Sequence, residues 1–558
     1  MISLKRLKVF DMLSFPKVLI FLRVITQTVY ADEVSDALKP TPTATVASGQ
    51  IIGTTTQITG ATGSVTINKY LGIPYAAPPT GTNRFSTPQP PTKWTTPLST
   101  TKYASSCVQV FAPLSFRNFT EAVFNNPAPA ESEDCLYINV YAPKKSWNIT
   151  APPYPVMYWM YGGAWEFGNA GQPWYDGSHF AALEDAVLVS VNYRTNVFGF
   201  PISPTTDLKS QNLGMLDQRA GLQWVQDNIV HFGGDKNRVT IFGQSAGAFA
   251  VDALITSYAS GASRPFQAAI MQSGVYAYLV APVCNNADYA SWNSLATALK
   301  CTGTDAQIYS CVKSATAAQL KSAQEADPGI TFGKACDEVT MVSNPRTRLE
   351  AGNTANVPVM LGTNTEDGSF YSFPYGLNTT AYMNTYFPGN AAFQQQVLAA
   401  YPIGSEGRTD AQYQLAQIHT DWFFHCPAVW YGQASSTFKP TYRYLFSATF
   451  TNTRAQESQW LTQYQGAYHT SEIPIVFSSY STSNVDATEP VLSNTMRGAW
   501  AAFARNPNAA PISNWPKVGS AAADVYSFGT SSSGAVSDTG ASRCMGTGVW
   551  APLRTYHA

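Results

Sequence analysis

Short, continuously apolar runs that each end in glycine or polar residues recur along this chain, and they constrain its fold more than any other feature. They are PVMYWM (155–160), AVLVSV (186–191), VTIFG (239–243), AAIMQSG (268–274), VPVMLGTN (357–364) and YRYLFSA (442–448). Runs this short, and apolar at consecutive positions, suit strands covered on both faces. Between them lie helix-like segments. In NLGMLDQRAGLQWVQDNIVHF (212–232), Leu216, Ala220, Gln223 and Trp224 recur at spacings of three and four. Such alternation predicts an α/β fold with a large, mostly parallel central sheet flanked by helices. No long linker, repeat or charge block interrupts the pattern, so the chain reads as a single large domain with insertions.

The chain ends and the cysteines bear on the compartment. Residues 1–31 read as a removed secretory signal peptide: Lys5, Arg6, Lys8 and Lys17 supply basic charge, Val18–Leu22 starts an apolar stretch that Arg23 interrupts, and Val29-Tyr30-Ala31 offers a cleavage site. Residues 32–558 are then the domain. Its first stretch, ALKPTPTATVASGQ (37–50), is rich in Pro, Thr and Ser and reads as an unpaired terminus. Eight cysteines, at 107, 135, 284, 301, 311, 336, 426 and 544, form no CxxC pair. An even, scattered set reads as four disulfides in an oxidising compartment, so the chain is expected to be secreted. Sequons at Asn118, Asn148 and Asn378 permit glycosylation there. With 12% charged residues and a formal charge of -1, no strong field steers the chain toward nucleic acid or an anionic membrane. No later segment has the apolar length of a bilayer span.

One strand candidate carries chemistry. VTIFG runs into Gly243-Gln244-Ser245-Ala246-Gly247 and then into the helix-like AGAFAVDALITSY. A sharp strand-to-helix turn strains its central residue, and glycine on both flanks lets strand and helix approach. Ser245 is thereby held out at the sheet edge over a helix N-terminus, a setting that favours an oxyanion. A serine hydroxyl needs a base to act as a nucleophile, normally a histidine held by a carboxylate. Of six histidines, His179 and His231 precede the serine, His419 and His425 fall in a helical stretch, and His557 is in the tail. His469, in GAYHTSEIPIVF, follows a glycine-containing loop and precedes an apolar run. Glu366 and Asp367 lie just past the end of VPVMLGTN, where ligands of open α/β sheets gather. Either could serve, but two adjacent carboxylates cannot both face one imidazole. WMYGGAWEFG (159–168) follows another strand, and its glycines let backbone N–H groups converge; Ala246 adds a further donor.

Taken with YLGIPYAAPPTGTNRF, ESEDCLYINVYAP, NYRTNVFGF, FGQSAG, TEDGSF and HTSEIPIVF in that order, the chain resembles the type-B carboxylesterase and lipase family, which includes cholinesterases and secreted fungal lipases. The resemblance implies an α/β-hydrolase fold and a carboxylic ester hydrolase without metal or cofactor. It assigns Ser245 as nucleophile, His469 as base and Asp367, rather than Glu366, as the acid. Oxyanion donors become the N–H groups of Gly163, Ala164 and Ala246, and Glu472 matches a buried carboxylate behind the triad. Arg84 and Glu133 match a structural ion pair. Cys107 with Cys135, Cys301 with Cys311 and Cys426 with Cys544 match family disulfides, leaving Cys284 and Cys336 for each other.

The departures are specific. Gln244 replaces the family's usual Glu, and Ala164 stands where many members have Gly. The segment between Cys107 and Cys135 has no tryptophan, which speaks against a quaternary ammonium substrate held by cation–π attraction. That segment is rich in apolar residues, Val110, Phe111, Leu114, Phe116, Phe119 and Phe124 among them. In related lipases it is a lid that makes transient contact with a lipid interface; otherwise it is a loop packed on the core. The expected substrate is a small-molecule or lipid ester. A non-catalytic, neuroligin-like binding protein and an amidase or peptidase with the same triad are the alternatives.

Overall fold

Residue by residue, the apolar runs become the strands of one sheet. The computed structural model describes residues 41–555, apart from 61–62, 112–116, 145–151, 280–283, 285–287, 456–463 and 520–523. The proposed signal peptide, Leu114, Phe116, the Asn148 sequon and His557 lie outside the described residues, and of Phe119 only the helical backbone is described. A small sheet joins β1 (Thr43–Val46), β2 (Gly49–Ile52) and β5 (Leu98–Ser99). A second sheet of eleven strands comprises β3 (Thr54–Gly60), β4 (Gly63–Pro74), β6 (Tyr137–Pro143), β7 (Tyr154–Met160), β8 (Val187–Val191), β9 (Gly234–Gln244), β10 (Ala268–Gln272), β11 (Val359–Asn364), β12 (Thr441–Phe446), β13 (Val525–Phe528) and β14 (Ser533–Val536).

Its order is β14-β13-β12-β11-β10-β9-β7-β8-β6-β4-β3. Every pairing from β8 through β13 is parallel, and the outer pairings are antiparallel. The sequence explains the division. Central strands such as VLVSV and AAIMQ are buried at every position, as strands covered by helices on both faces must be. The threonine-rich β3 reads TTTQITG, with no fully buried residue, which a half-solvated antiparallel edge tolerates.

The chain goes from β7 to β8 on one side and returns to β9 on the other side of β7. The carboxyl ends of β7 and β9 therefore flank the point where strand order reverses, the usual place for a site in an open α/β sheet. Helices Leu213–Asn228 and Ala246–Ser257 follow β8 and β9; the second is buried along nearly its whole length.

One sequence expectation is corrected. Residues 37–50 were expected to be unpaired, yet β1 and β2 form a hairpin with Thr43 opposite Ile52. Along TATV the alternate residues Ala44 and Val46 are buried and the threonines exposed, a period of two that the Pro/Thr composition hid. Gly49 adopts φ 148 beside the Trp94 indole, which occupies the place of a β-carbon.

All four disulfides form: Cys107–Cys135, Cys284–Cys336, Cys301–Cys311 and Cys426–Cys544. The last closes 118 residues. Around it, Trp430 Nε1 donates to the Cys544 carbonyl at 2.9 Å and Arg543 Nε to Asp421 at 2.6 Å. The end of the chain is thus stapled to segment 420–436. Arg84 Nε meets Glu133 at 2.6 Å. Among the described residues, no helix is long and apolar enough to cross a membrane.

Candidate active site

Ser245 follows β9 and caps the helix Ala246–Ser257 with φ 55 and ψ -125, a conformation costing a non-glycine residue on the order of 1–3 kcal/mol. Its surroundings impose that conformation. The Ser245 N–H donates to the Gln272 carbonyl at 2.9 Å, and the Ser245 carbonyl accepts the Phe249 N–H at 2.9 Å. A β-carbon at Gly247 would stand 2.0 Å from the Met160 carbonyl oxygen, and one at Gly243 would stand 2.6 Å from that of Gly247. The two glycines are there because strand, turn and helix touch backbone to backbone.

After β7 the chain turns tightly. Glu166 and Phe167 N–H groups both donate to the Gly163 carbonyl, at 2.9 and 3.1 Å, and Ala164 and Trp165 take φ 55 and 68. Among the described residues, no backbone carbonyl takes up the amides of Gly163 and Ala164. Ala246 begins a helix, so its amide has no intrahelical acceptor either. Gly163, Ala164, Ser245 and His469 all line one cavity of about 610 Å³.

His469 is buried, and its Nδ1 donates to Asp367 Oδ1 at 2.8 Å. The other oxygen of Asp367 accepts from Ser273 Oγ at 2.8 Å and from the Asn364 N–H at 2.8 Å. Asp367 follows β11 and Ser273 follows β10, so two neighbouring strand ends fix the carboxylate.

The geometry separates the two adjacent acids. Glu366 points the other way: Oε2 accepts from Thr365 Oγ1 at 2.6 Å and from the Ala467 N–H at 2.8 Å. Rather than a solvated loop charge, it is a buried brace of the loop that carries His469, and burial raises its pKa.

Glu472 is fully buried and accepts from Asn364 Nδ2 at 2.8 Å and Gln272 Nε2 at 3.1 Å. Burial, then the nearby Asp367 charge, push its pKa from 4.5 up to about 7. A raised carboxylate pKa means that the folded chain holds the proton more tightly than the unfolded one. The associated stability is fully present below about pH 4.5 and is lost as pH rises through about 7, on the order of 3 kcal/mol in total. Glu472→Gln is expected to flatten the slope of unfolding free energy against pH between pH 5 and 7, measured by denaturant titration; an unaltered slope would mean that this carboxyl does not change protonation on unfolding.

Among the neighbours, Gln244 and the apolar residues after Cys107 stood out in the sequence, whereas Phe424 and Tyr371 carried no signal for their places beside His469. Gln244 Nε2 lies 3.1 Å from His469 Nε2, so a neutral amide faces the imidazole where the family's usual residue would bring a charge. Phe424 stacks obliquely against the same ring at 4.8 Å between centroids, and Tyr371 meets it edge-on at 5.6 Å. His419, which the sequence placed in a helix, lies behind Tyr371; burial, then the neighbouring His469, depress its pKa to about 3, so it is a neutral packing group. In the segment after Cys107, Val110 and Phe111 are buried, and both line the cavity with Phe124 from the helix Arg117–Phe124.

A strained serine on a strand-to-helix turn, opening with a carboxylate-bound histidine at the carboxyl edge of a mostly parallel sheet, is the arrangement of an α/β-hydrolase. Comparison with known proteins narrows the class. The family model described as "Carboxylesterase family" matches residues 40–545. The para-nitrobenzyl esterase of Bacillus subtilis (strain 168) is 33% identical over 475 residues, covering 81% of this chain and 88% of that protein. The cocaine esterase of Homo sapiens is 32% identical over 499 residues (85% and 86%), and the cholinesterase of Mus musculus 30% over 542 (90% and 85%). A solved structure of PNB esterase superposes with a TM-score of 0.68 at 28% identity, over 88% of this chain and 96% of that one. The chain belongs to the carboxylesterase family and is a carboxylic ester hydrolase.

Proposed function

We propose that the protein is a secreted serine esterase acting through an acyl-enzyme on compact, apolar esters. Ser245 attacks the ester carbonyl while His469 takes its proton and passes it to the leaving alcohol. Asp367 orients the imidazole and balances its charge, and the amides of Gly163, Ala164 and Ala246 hold the oxyanion; water then releases the acid by the same steps. Glu472 is a positioning residue, acting through Asn364, whose N–H also binds Asp367.

The observation that carries this reading is the single cavity lined by Ser245, His469, Gly163 and Ala164 together. Phe111, Phe124, Phe370 and Tyr386 form part of its wall, which suits an apolar acyl or alcohol group. Arg117 also lines it, paired with Glu121 and Glu325; it is the missing tryptophan that disfavours a quaternary ammonium. Phe111 and Phe124 turn inward, which favours dissolved esters over lipid interfaces. Four disulfides and the exposed sequon residues Asn118 and Asn378 agree with passage through an oxidising secretory route.

A panel of p-nitrophenyl esters from C2 to C16, an emulsified triglyceride and a p-nitroanilide tests the assignment. Smooth saturation on short esters is expected, with no rise when substrate passes its solubility limit. A jump at that limit would instead show interfacial activation, and preference for the anilide would make the protein an amidase.

A further inference from the structure

In the mechanism above the imidazole of His469 becomes cationic while it holds the proton of Ser245. That transient charge forms beside the buried ring of Phe424. The two rings are 4.8 Å apart between centroids with 37° between their planes. At that separation and tilt they meet face toward face, and the face of a phenyl ring carries the negative lobe of its quadrupole. A cation set there is attracted, more strongly where water is excluded.

A break in helical spacing puts the ring in that place. Between the α-helices Ala411–His419 and Cys426–Ser436 the chain makes a wider π-helical turn, Thr420–His425. Such turns are rare and recur at functional sites. This one grips both members of the acid–base pair. Thr420 Oγ1 accepts the N–H of Gly368, the residue after Asp367, at 2.8 Å. A β-carbon at Gly368 would stand 2.1 Å from the Ala416 carbonyl oxygen, so the acid's loop is seated backbone to backbone on the helix. Phe424, at the other end of the same turn, reaches His469. Phe423 stands edge-on to Phe424 at 4.9 Å and Tyr371 tilts against it at 5.7 Å, which leaves the phenyl little room to turn away.

We propose that Phe424 is a positioning residue of the reaction, its phenyl face stabilising the His469 imidazolium as it forms. The inference rests on the reading of His469 as the general base. The proton moves from Ser245 Oγ to His469 Nε2 and on to the leaving alcohol, and no bond to Phe424 forms or breaks. The contact is stronger with a charged imidazole than with a neutral one, so it favours the transition state over the resting enzyme. Asp367 acts in the same sense through its bond to Nδ1. Glu366, Tyr371, His419 and Glu472 also surround the pair, on the loop after β11, the helices beside it and the segment of His469 itself. None of these groups is altered when only the ring at position 424 changes.

Fluorination tests this with little change in packing. Phe424 is replaced, by amber suppression, with trifluorophenylalanine and pentafluorophenylalanine, which weaken and then reverse the charge on the ring face. A weaker face makes the imidazolium less favourable, so the base stays unprotonated to lower pH. The acidic limb of kcat/KM for p-nitrophenyl butyrate is therefore expected to move down by about half a unit to one unit across the series, while the plateau falls about three- to tenfold. Phe424→Leu, which keeps the site apolar and removes the ring, is expected to shift the limb the same way, so the test does not hang on one variant. The shift should persist in a Glu472→Gln background, where that carboxyl cannot supply the limb. A limb that stays in place through the series, or a loss equal at every pH, would overturn the role of Phe424. The parent reading fails separately: a wild-type profile with no acidic limb, together with near-normal turnover by His469→Ala, would remove the base and leave Phe424 nothing to support.

Discussion

Ser245→Ala is expected to lower turnover of a p-nitrophenyl ester by at least about a thousandfold while the protein still melts cooperatively. The magnitude follows from what the serine alone supplies. The amides of Gly163, Ala164 and Ala246 and the imidazole of His469 would remain in the variant, yet none can replace the serine oxygen in the proposed acyl-enzyme. Water attacking directly would keep only the part of catalysis due to oxyanion stabilisation and substrate binding. The fold should tolerate the change. Alanine meets the same φ of 55 with no larger side chain, and the backbone bonds to Gln272 and Phe249 do not involve the hydroxyl. Near-normal turnover in a well-folded variant would remove the proposed nucleophile.

Asp367→Asn should be almost as severe, on the order of a thousandfold or more in kcat, whereas Glu366→Gln should cost less than about tenfold. Asparagine has one oxygen to offer where Asp367 has two. The Asn364 N–H and the Ser273 hydroxyl, both at 2.8 Å, are donors on the same side, and the asparagine oxygen will be drawn to them. The amide nitrogen then faces His469 Nδ1, which must accept rather than donate. The ring proton is pushed to Nε2, and an imidazole protonated there cannot take the serine's proton. Among the described residues, no hydrogen bond joins Glu366 to the imidazole; its bonds go to Thr365 and Ala467. Its loss should appear mainly as a lower melting temperature. Measured kcat values for the two variants decide the matter, and the reverse ranking would move the acid by one residue.

How far the sequence could go is visible in these same residues. Strand positions were legible because a strand buried on both faces is apolar without interruption, a local property of runs such as VLVSV. The Gly243–Gly247 turn was legible because backbone contact leaves room for only one residue type. The choice between Glu366 and Asp367 was different in kind. Side chains of neighbouring residues diverge, and which of them met His469 depended on Ser273 and Asn364, contributed by other strand ends. Composition alone could not separate two carboxylates side by side, and only the family resemblance did. Tyr371 carried no signal because its place beside His469 comes with stacking on His419, nearly fifty positions away along the chain. The hairpin at Thr43–Ile52 failed for the opposite reason: its alternation is local but only four residues long on each strand, and proline and threonine nearby suggested an unpaired end.

The cross-link between Cys426 and Cys544 reaches further than the chain terminus. Segment 420–436, which it clamps, also carries Phe424, one wall of the seat in which His469 rests. Loss of this one cross-link is therefore expected to loosen the seat of His469.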